Sequence, residues 1–89
     1  MEVSFSTSFK KGFRKKIKDS AAEEVFWKAV ELFIRDPFHP PLKTHKLSGN
    51  LKGLWSFSVG YDLRVVFYFT KDKPQKAVFV DVGTHDEVY

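Results

Sequence analysis

The final segment of the sequence is Val78-Phe79-Val80-Asp81-Val82-Gly83-Thr84-His85-Asp86-Glu87-Val88-Tyr89. Apolar residues alternate along its first half, and a period of two predicts a strand with one buried face. The alternation predicts that Val78, Val80 and Val82 face the core. Phe79 and Asp81 would then face the other way, together with His85 if the strand continues. The segment therefore places His85 and Tyr89 at the end of a rigid strand, where it leaves the sheet and where a ligand can reach them.

Length and composition predict one small folded domain that spans residues 1–89. Hydrophobic residues make up 43% of the chain and include ten phenylalanines and two tryptophans, so large aromatic rings are expected to fill the core. The absence of cysteine excludes disulfides, thiol catalysis and cysteine-ligated zinc, and it fits a reducing compartment. No segment has the length of a membrane span, and the first residues lack the apolar region of a signal peptide. A cytoplasmic protein without membrane contact is therefore expected.

Two helices are predicted in the first half of the chain, after a short first strand at residues 3–5. Apolar residues at every fourth position predict a helix from about Ser8 to Lys18, namely Phe9, Phe13 and Ile17. A second helix is expected to run from Ser20 to about residue 34, because Ser20 and Glu23 have the spacing of a capping box. Asp36-Pro37 ends this helix, since the residue before a proline disfavours helical dihedral angles. The two helices would form a hairpin.

A proline-rich loop over residues 37–53 and then three strands are predicted in the second half. The strands cover residues 54–59, residues 63–69 and a segment that begins near Lys76, and the short turns between them predict antiparallel pairing. Alternation places one set of residues on a mixed, open face: Ser56, Ser58, Arg64, Val66, Tyr68 and Asp81. The expected fold is therefore α+β, in the order β-α-α-β-β-β, with the helical hairpin packed on one face of a mainly antiparallel sheet.

Positive charge is concentrated on the first predicted helix. The chain carries a net charge of +4, and six basic residues without any intervening acid lie within one short stretch: Lys10, Lys11, Arg14, Lys15, Lys16 and Lys18. Such a cluster is either a solvated helix face or a surface that contacts phosphate groups.

The titratable residues favour metal-free cleavage of RNA over metal chemistry. The three histidines, His39, His45 and His85, lack helical metal-ligand spacing and have no cysteine partner, so no metal and no cofactor are expected. Cleavage of RNA needs a base that removes the 2′-hydroxyl proton and an acid that protonates the leaving 5′-oxygen. An arginine such as Arg64 can stabilise the phosphate charge, and a tyrosine can stack on a base.

Each candidate also has a structural explanation when it is considered alone. His45 can cap a loop turn, Asp62 is a common turn residue, and Arg64 can form a surface ion pair. His85 can be solvated, and Tyr89 can simply pack on the sheet.

Four segments in the same order resemble the RelE/YafQ superfamily of bacterial and archaeal type II toxins. These segments are Asp36-Pro37-Phe38, Lys43 to Ser56, Tyr61 to Phe67 and Asp81 to Tyr89. The resemblance extends over the whole chain and is greatest to the YafQ-like branch, which has a His-x-Leu-x-Gly loop and a Gly-Thr-His ending.

This resemblance implies a ribosome-dependent mRNA endonuclease that a cognate antitoxin neutralises. Such toxins cleave the codon in the ribosomal A site by attack of a 2′-hydroxyl group, which leaves a cyclic phosphate. The residues implied to contact 16S ribosomal RNA and mRNA are Lys10, Lys11, Arg14, Lys15, Lys18, Lys43 and Lys46.

The resemblance also implies the catalytic residues, which are His45, Asp62, Arg64, His85 and Tyr89. His85 is the implied general acid and Arg64 the phosphate clamp. Ser56 and Ser58 occupy positions where RelE has lysines, and Ser58 aligns with a second histidine of YafQ, so the base is either His45 or Asp62. Two alternatives remain open: a ParE-like inhibitor of DNA gyrase, and a catalytically weak relative that only binds RNA or protein.

Overall fold

The computed structural model describes residues 1–89 and contains three α-helices and one five-stranded sheet. The elements are β1 (Glu2–Phe5), α1 (Thr7–Lys16), α2 (Ala22–Arg35), β2 (His45–Lys46), β3 (Trp55–Val59), β4 (Leu63–Phe69), β5 (Lys76–Thr84) and α3 (His85–Val88). The predicted α+β class and the predicted order of the main elements are confirmed. Strand β2 and helix α3 are additions. None of the helices has the length and apolar character needed to cross a bilayer.

The strand order in the sheet is β1-β5-β4-β3-β2. The predicted antiparallel pairing of β3, β4 and β5 is confirmed. Strands β2 and β3 are also antiparallel, and only β1 and β5 run parallel. Strand β2 lies in the segment that was expected to be a loop. Its two residues pair with the start of β3, with His45 opposite Ser56 and Lys46 opposite Trp55. The loop is therefore ordered, and Leu42 anchors it in the core.

The connection between α1 and α2 differs from the prediction. Helix α1 ends at Lys16, two residues early, and Asp19 adopts a left-handed conformation with φ of 61°. The expected capping box at Ser20 does not form, because the Ser20 hydroxyl accepts a hydrogen bond from the Ala22 N–H (3.2 Å). The Glu23 carboxylate accepts instead from the N–H of Asp19, at 2.8 Å. The turn at Asp19 thus brings a different backbone donor to Glu23, and this bond lowers the pKa of Glu23.

Aromatic rings from the helices and the sheet form the core. The Phe33 ring of α2 lies 4.8 Å from the ring of Phe57, 5.0 Å from that of Phe67 and 5.5 Å from that of Phe79, measured between centroids. All four rings are fully buried. Edge-to-face and offset stacked contacts at these distances add to the hydrophobic stabilisation. The prediction of a ring-filled core between the helices and one face of the sheet is confirmed.

A bulge in β5 overturns the predicted alternation of its first half. Phe79 pairs with Phe67, whereas Asp81 pairs with Val66, so Val80 is an extra residue between two paired positions. The extra residue shifts the alternation by one. Phe79 therefore enters the core beside Phe67, while Val78 and Val80 are only half-buried. The orientation predicted for Asp81, on the open face opposite Val66, agrees with the observed register.

Helix α3 covers part of the face that was expected to be open. Strand β5 ends at Thr84, so His85 does not continue the strand but begins a helical turn. The Tyr89 hydroxyl donates a hydrogen bond to the hydroxyl of Ser56. Ser56 is fully buried, and Val66 is 2% exposed on the same face. The Tyr89 hydroxyl thus provides a hydrogen-bond partner for Ser56, which would otherwise be buried without one.

The phenylalanine cluster supports a test of stability. We expect Phe33→Ala to lower the free energy of unfolding by about 3–5 kcal/mol, because it leaves a cavity among three other rings. Urea denaturation followed by circular dichroism measures this change. Ile34→Ala is the control, since Ile34 is the next residue of α2 but is 42% exposed. Equal losses in the two variants would contradict the central role of Phe33.

Candidate functional site

A cleft of about 340 Å³ lies at the end of the sheet where β3 turns into β4. Its walls are Tyr61, Asp62, Arg64, Thr84, His85 and Asp86. Asp62 lies in the turn, Arg64 is the second residue of β4, and His85 is the first residue of α3. The antiparallel register places Leu63 opposite Thr84 and so brings the start of β4 beside the end of β5. Three of the five expected catalytic residues therefore share one cavity.

The Arg64 guanidinium is positioned by the backbone of its own hairpin. Its Nη1 donates to the carbonyl oxygens of Leu63 (3.0 Å) and Tyr61 (3.4 Å). No carboxylate lies within ion-pair distance of this side chain, so the surface ion pair considered for it does not form. The half-buried arginine consequently retains Nη2 and Nε as donors for an anion in the cleft.

His85 is exposed and oriented by two neighbours. Its Nδ1 lies 3.4 Å from a carboxylate oxygen of Asp86. Its ring meets the ring of Tyr89 edge to face, with 4.6 Å between the centroids. A carboxylate only accepts hydrogen bonds, so this contact favours a proton on Nδ1 and leaves Nε2 facing away from Asp86. Nε2 is the nitrogen that can exchange a proton with a ligand.

Helix α3 is fixed at its start by Glu87. The Glu87 carboxylate accepts a hydrogen bond from the Thr84 N–H at 2.7 Å, and Lys16 of α1 approaches its other oxygen to 3.5 Å. Lys16 also donates to the Val82 carbonyl at 3.2 Å. The backbone hydrogen bond from Thr84 is the main cause that lowers the pKa of Glu87, and Lys16 adds to it.

Gly83 leaves room where these groups meet. A Cβ atom at this position would lie 2.9 Å from both the Glu87 carboxylate and the Lys16 ammonium. The pattern Thr84-His85-Asp86-Glu87 is the same Ser/Thr-x-x-Glu signal that suggested a box at Ser20. This signal in the sequence predicts the helix start at Thr84.

His45 lies outside the cleft but is connected to it. Its Nδ1 lies 2.9 Å from the Lys43 carbonyl, so in the neutral ring Nδ1 carries the proton and Nε2 is free to accept one. His45 is the cross-strand partner of Ser56, whose hydroxyl is bound by Tyr89. The ring of Tyr89 contacts His85 in turn. Two expected catalytic residues, His45 and Tyr89, therefore adjoin the cleft rather than line it.

The basic residues fall into two groups. Those expected to bind RNA on and after α1 are exposed and form no ion pair, namely Lys10, Lys11, Arg14, Lys15 and Lys18. Lys16 differs because it is held by Glu87 and Val82. Lys43 and Lys46 are exposed near His45, and the Lys46 ammonium lies 5.5 Å from the centroid of the Trp55 ring.

No group of three or more histidine, aspartate or glutamate side chains is arranged to hold a metal ion. The largest groove, about 670 Å³, is bordered by Lys46, Trp55 and Phe69. It lies at the opposite end of the β3–β4 hairpin from His85, because Trp55 begins β3 and Phe69 ends β4. The cleft lined by Arg64 and His85 is smaller, but it is the one that brings Asp62, Arg64 and His85 together. Tyr61, Thr84 and Asp86 also line it and were not expected as site residues.

Comparison with known proteins identifies one family. The family model described as "Bacterial toxin of type II toxin-antitoxin system, YafQ" matches residues 1–89. No curated sequence relative matches the chain.

Solved structures of toxins have the same fold. A metal-bound toxin from Helicobacter pylori is 26% identical, with a TM-score of 0.77, over 100% of this chain and 99% of that one. YafQ from E. coli strain BL21(DE3) is 22% identical, with a TM-score of 0.75, over 99% and 97% of the two chains. YafQ in the E. coli DinJ–YafQ complex is 22% identical, with a TM-score of 0.71, over the same shares.

The contacts of Glu87 predict how its carboxyl group titrates. Because a backbone donor is the larger cause, we expect Lys16→Met to leave the pKa of Glu87 below the ordinary glutamate value of about 4.3. Carbon-13 NMR titration of the side-chain carboxyl measures this. Glu87 thus stabilises the fold above pH ~4.3, and this contribution is lost as the pH falls through the lower folded-state pKa.

Glu87→Gln should abolish this part of the pH dependence of stability, whereas Glu24→Gln on α2 should not. An ordinary glutamate pKa in the Lys16→Met variant would show instead that the lysine dominates.

Proposed function

The chain belongs to the YafQ family of bacterial toxins of type II toxin-antitoxin systems, and we propose that it cleaves mRNA in the ribosomal A site as a metal-free endoribonuclease. The observation that carries this proposal is the shared cavity of Arg64, His85 and Asp62. It combines an anion clamp, a histidine with one free ring nitrogen and a carboxylate. The proposed reaction needs these three functions and no others.

The proposed first event is removal of the proton from the attacking 2′-hydroxyl. Asp62 is the candidate base that lines the same cavity as Arg64 and His85, so we assign this role to Asp62. The 2′-oxygen then forms a bond to phosphorus while the bond to the 5′-oxygen breaks. His45 presents a free Nε2 but adjoins the cleft from the far side of Ser56, which suits it better to contact the neighbouring part of the mRNA.

His85 is the proposed general acid. In the imidazolium form both ring nitrogens carry a proton, and Nε2 donates its proton to the departing 5′-oxygen, which leaves the neutral ring with its proton on Nδ1 beside Asp86. Asp86 and Tyr89 hold the ring that makes this transfer. Arg64 donates hydrogen bonds from Nη2 and Nε to the non-bridging oxygens of the phosphate, where negative charge increases in the transition state. The products are a 2′,3′-cyclic phosphate and a 5′-hydroxyl. Every proton is accounted for by Asp62 and His85 without a metal ion.

The partners in this proposal are the ribosome with its mRNA and a cognate antitoxin. The exposed, unpaired cations on and after α1 supply a surface that 16S ribosomal RNA can bind through its phosphates. E. coli YafQ has been solved in complex with DinJ, and by analogy we propose that a cognate antitoxin binds this toxin. The ribosomal substrate implies action in the cytoplasm.

The role of His85 is tested on translating ribosomes. Primer extension maps the mRNA ends, and we expect His85→Ala to slow A-site cleavage about 10²- to 10⁴-fold, the usual contribution of a general acid. His39→Ala is the matched control, because His39 does not line the cleft. Absence of A-site cuts by the wild-type protein, combined with inhibition of gyrase supercoiling, would overturn the proposal in favour of a ParE-like activity.

A modified substrate separates the acid from the base. With a 5′-sulfur leaving group the departing thiolate needs no proton, so His85→Ala should cleave such an mRNA nearly as fast as the wild type. Asp62→Asn should remain slow on both substrates. If His45→Ala rather than Asp62→Asn is slow on both, the base is His45.

The basic surface predicts a salt dependence. The double variant Lys11→Ala/Lys15→Ala should bind ribosomes more weakly, and the slope of log affinity against log salt should fall by about 2, one for each phosphate that a lysine no longer neutralises. Filter binding at several salt concentrations measures this slope. Lys28→Ala/Lys71→Ala removes the same charge elsewhere and should leave the slope unchanged. Equal slopes in the two double variants would show that α1 does not contact RNA.

A further inference from the structure

A second cavity, of about 530 Å³, adjoins the cleft on the other side of the β3–β4 turn. Its walls include apolar side chains from three elements, Val25 of α2, Val59 of β3 and Leu63 of β4, together with the polar residues Lys16, Ser20, Asp62 and Thr84. Tyr61, Asp62 and Thr84 line both cavities. Its volume is in the range of small-molecule sites, which are typically apolar with a few polar groups at the edge. Here Lys16 and Thr84 supply such groups.

Tyr61 lies between the two cavities, and its ring makes almost no packing contact with the rest of the protein. The residue is 93% exposed, by far the most exposed of the large hydrophobic and aromatic residues. No other aromatic ring of the chain packs against it, in contrast to the rings of the core. Exposed tyrosines at the edge of RNA sites stack on unpaired bases, since every base has a flat face that a ring can cover.

The wall that carries Tyr61 is held against α2. Gly60 has a φ of 59°, which favours glycine, and a Cβ atom there would lie 3.2 Å from Cγ1 of Val25. The turn therefore lies directly on Val25, which also lines the second cavity. This contact sets the separation between the Tyr61 backbone and α2 before any ligand binds.

We propose that the second cavity binds the nucleobase of the nucleotide whose 2′-hydroxyl attacks, with Tyr61 stacked on the base. This inference rests on the proposed function. Asp62 lines both cavities and is the assigned base for that 2′-hydroxyl, whereas His85, which serves the leaving nucleotide, lines only the cleft. The ribose that is held at Asp62 can therefore direct its base into the adjoining apolar space. The cavity makes the site selective for the nucleotide on the 5′ side of the cut.

Filling the cavity tests this assignment. Val25→Trp should raise KM for ribosome-bound mRNA about 10-fold or more, with a smaller change in kcat, and should alter the distribution of nucleotides that precede the cut. Ile34→Trp is the matched control, because Ile34 lies on the same helix with 42% exposure against 43% for Val25, but does not line the cavity.

Tyr61 gives a second variant that does not threaten folding. Tyr61→Ala should weaken the binding of mRNA about 5- to 140-fold, the range expected for one stacked base, and Tyr61→Phe should retain the wild-type affinity. If Val25→Trp and Tyr61→Ala both match Ile34→Trp in KM and in cleavage pattern while the wild type cleaves, the base site is refuted and the proposed ribonuclease stands.

A binding measurement decides the matter without cleavage. A dinucleotide with 2′-O-methyl riboses cannot react, and at millimolar concentration it should shift the amide NMR signals of Val25, Val59 and Leu63 in the wild type. The shifts should depend on the identity of the 5′ base and disappear in Val25→Trp. Shifts confined to Arg64 and His85 would overturn the inference. Failure of the wild type to cut mRNA would refute the ribonuclease, while these shifts would still report on the cavity.

Discussion

The hydrogen bond from the Thr84 N–H to the Glu87 carboxylate is the contact on which the site depends. It turns the chain out of β5 into α3 and so directs both His85 and Tyr89. Lys16 joins this turn to α1 through Glu87 and the Val82 carbonyl. One lysine of the basic run is therefore structural, and its neighbours remain free for a partner. Because a side chain at Gly83 would crowd Glu87 and Lys16, the ending Gly-Thr-His-x-Glu acts as one unit.

The bulge at Val80 allows both halves of β5 to place a residue on the core face of the sheet. The first half of the strand has to supply Phe79 to the aromatic cluster, and the second half has to supply Val82 to the same face. In a regular strand, residues three apart lie on opposite faces. The extra residue places both on the core face and leaves Asp81 on the other.

Much of the fold could be predicted because its signals are local. The four-residue spacing of Phe9, Phe13 and Ile17 marks a helix, and alternation in β3 and β4 assigned Arg64 and Ser56 to the correct face. Alternation in β5 could not do so, since valines and a phenylalanine fit either face and only packing against Phe33 selects one. Strand β2 was not predicted for a related reason. Both of its residues are exposed, so they show no alternation of buried and exposed positions. The cleft followed from antiparallel register, whereas the second cavity depends on the tertiary contact between Gly60 and Val25.

The two cavities can contribute to the proposed reaction by orienting the reacting groups of the RNA. Attack by a 2′-hydroxyl requires its oxygen to lie in line with the bond that breaks, and a single-stranded nucleotide rotates freely about its backbone. Holding two reacting groups in the right geometry can supply a large part of a rate enhancement. A base fixed against Tyr61 would fix the attached ribose beside Asp62, while Arg64 fixes the phosphate from the other side. The shared wall of Tyr61, Asp62 and Thr84 would thus serve both recognition and alignment of the reacting atoms.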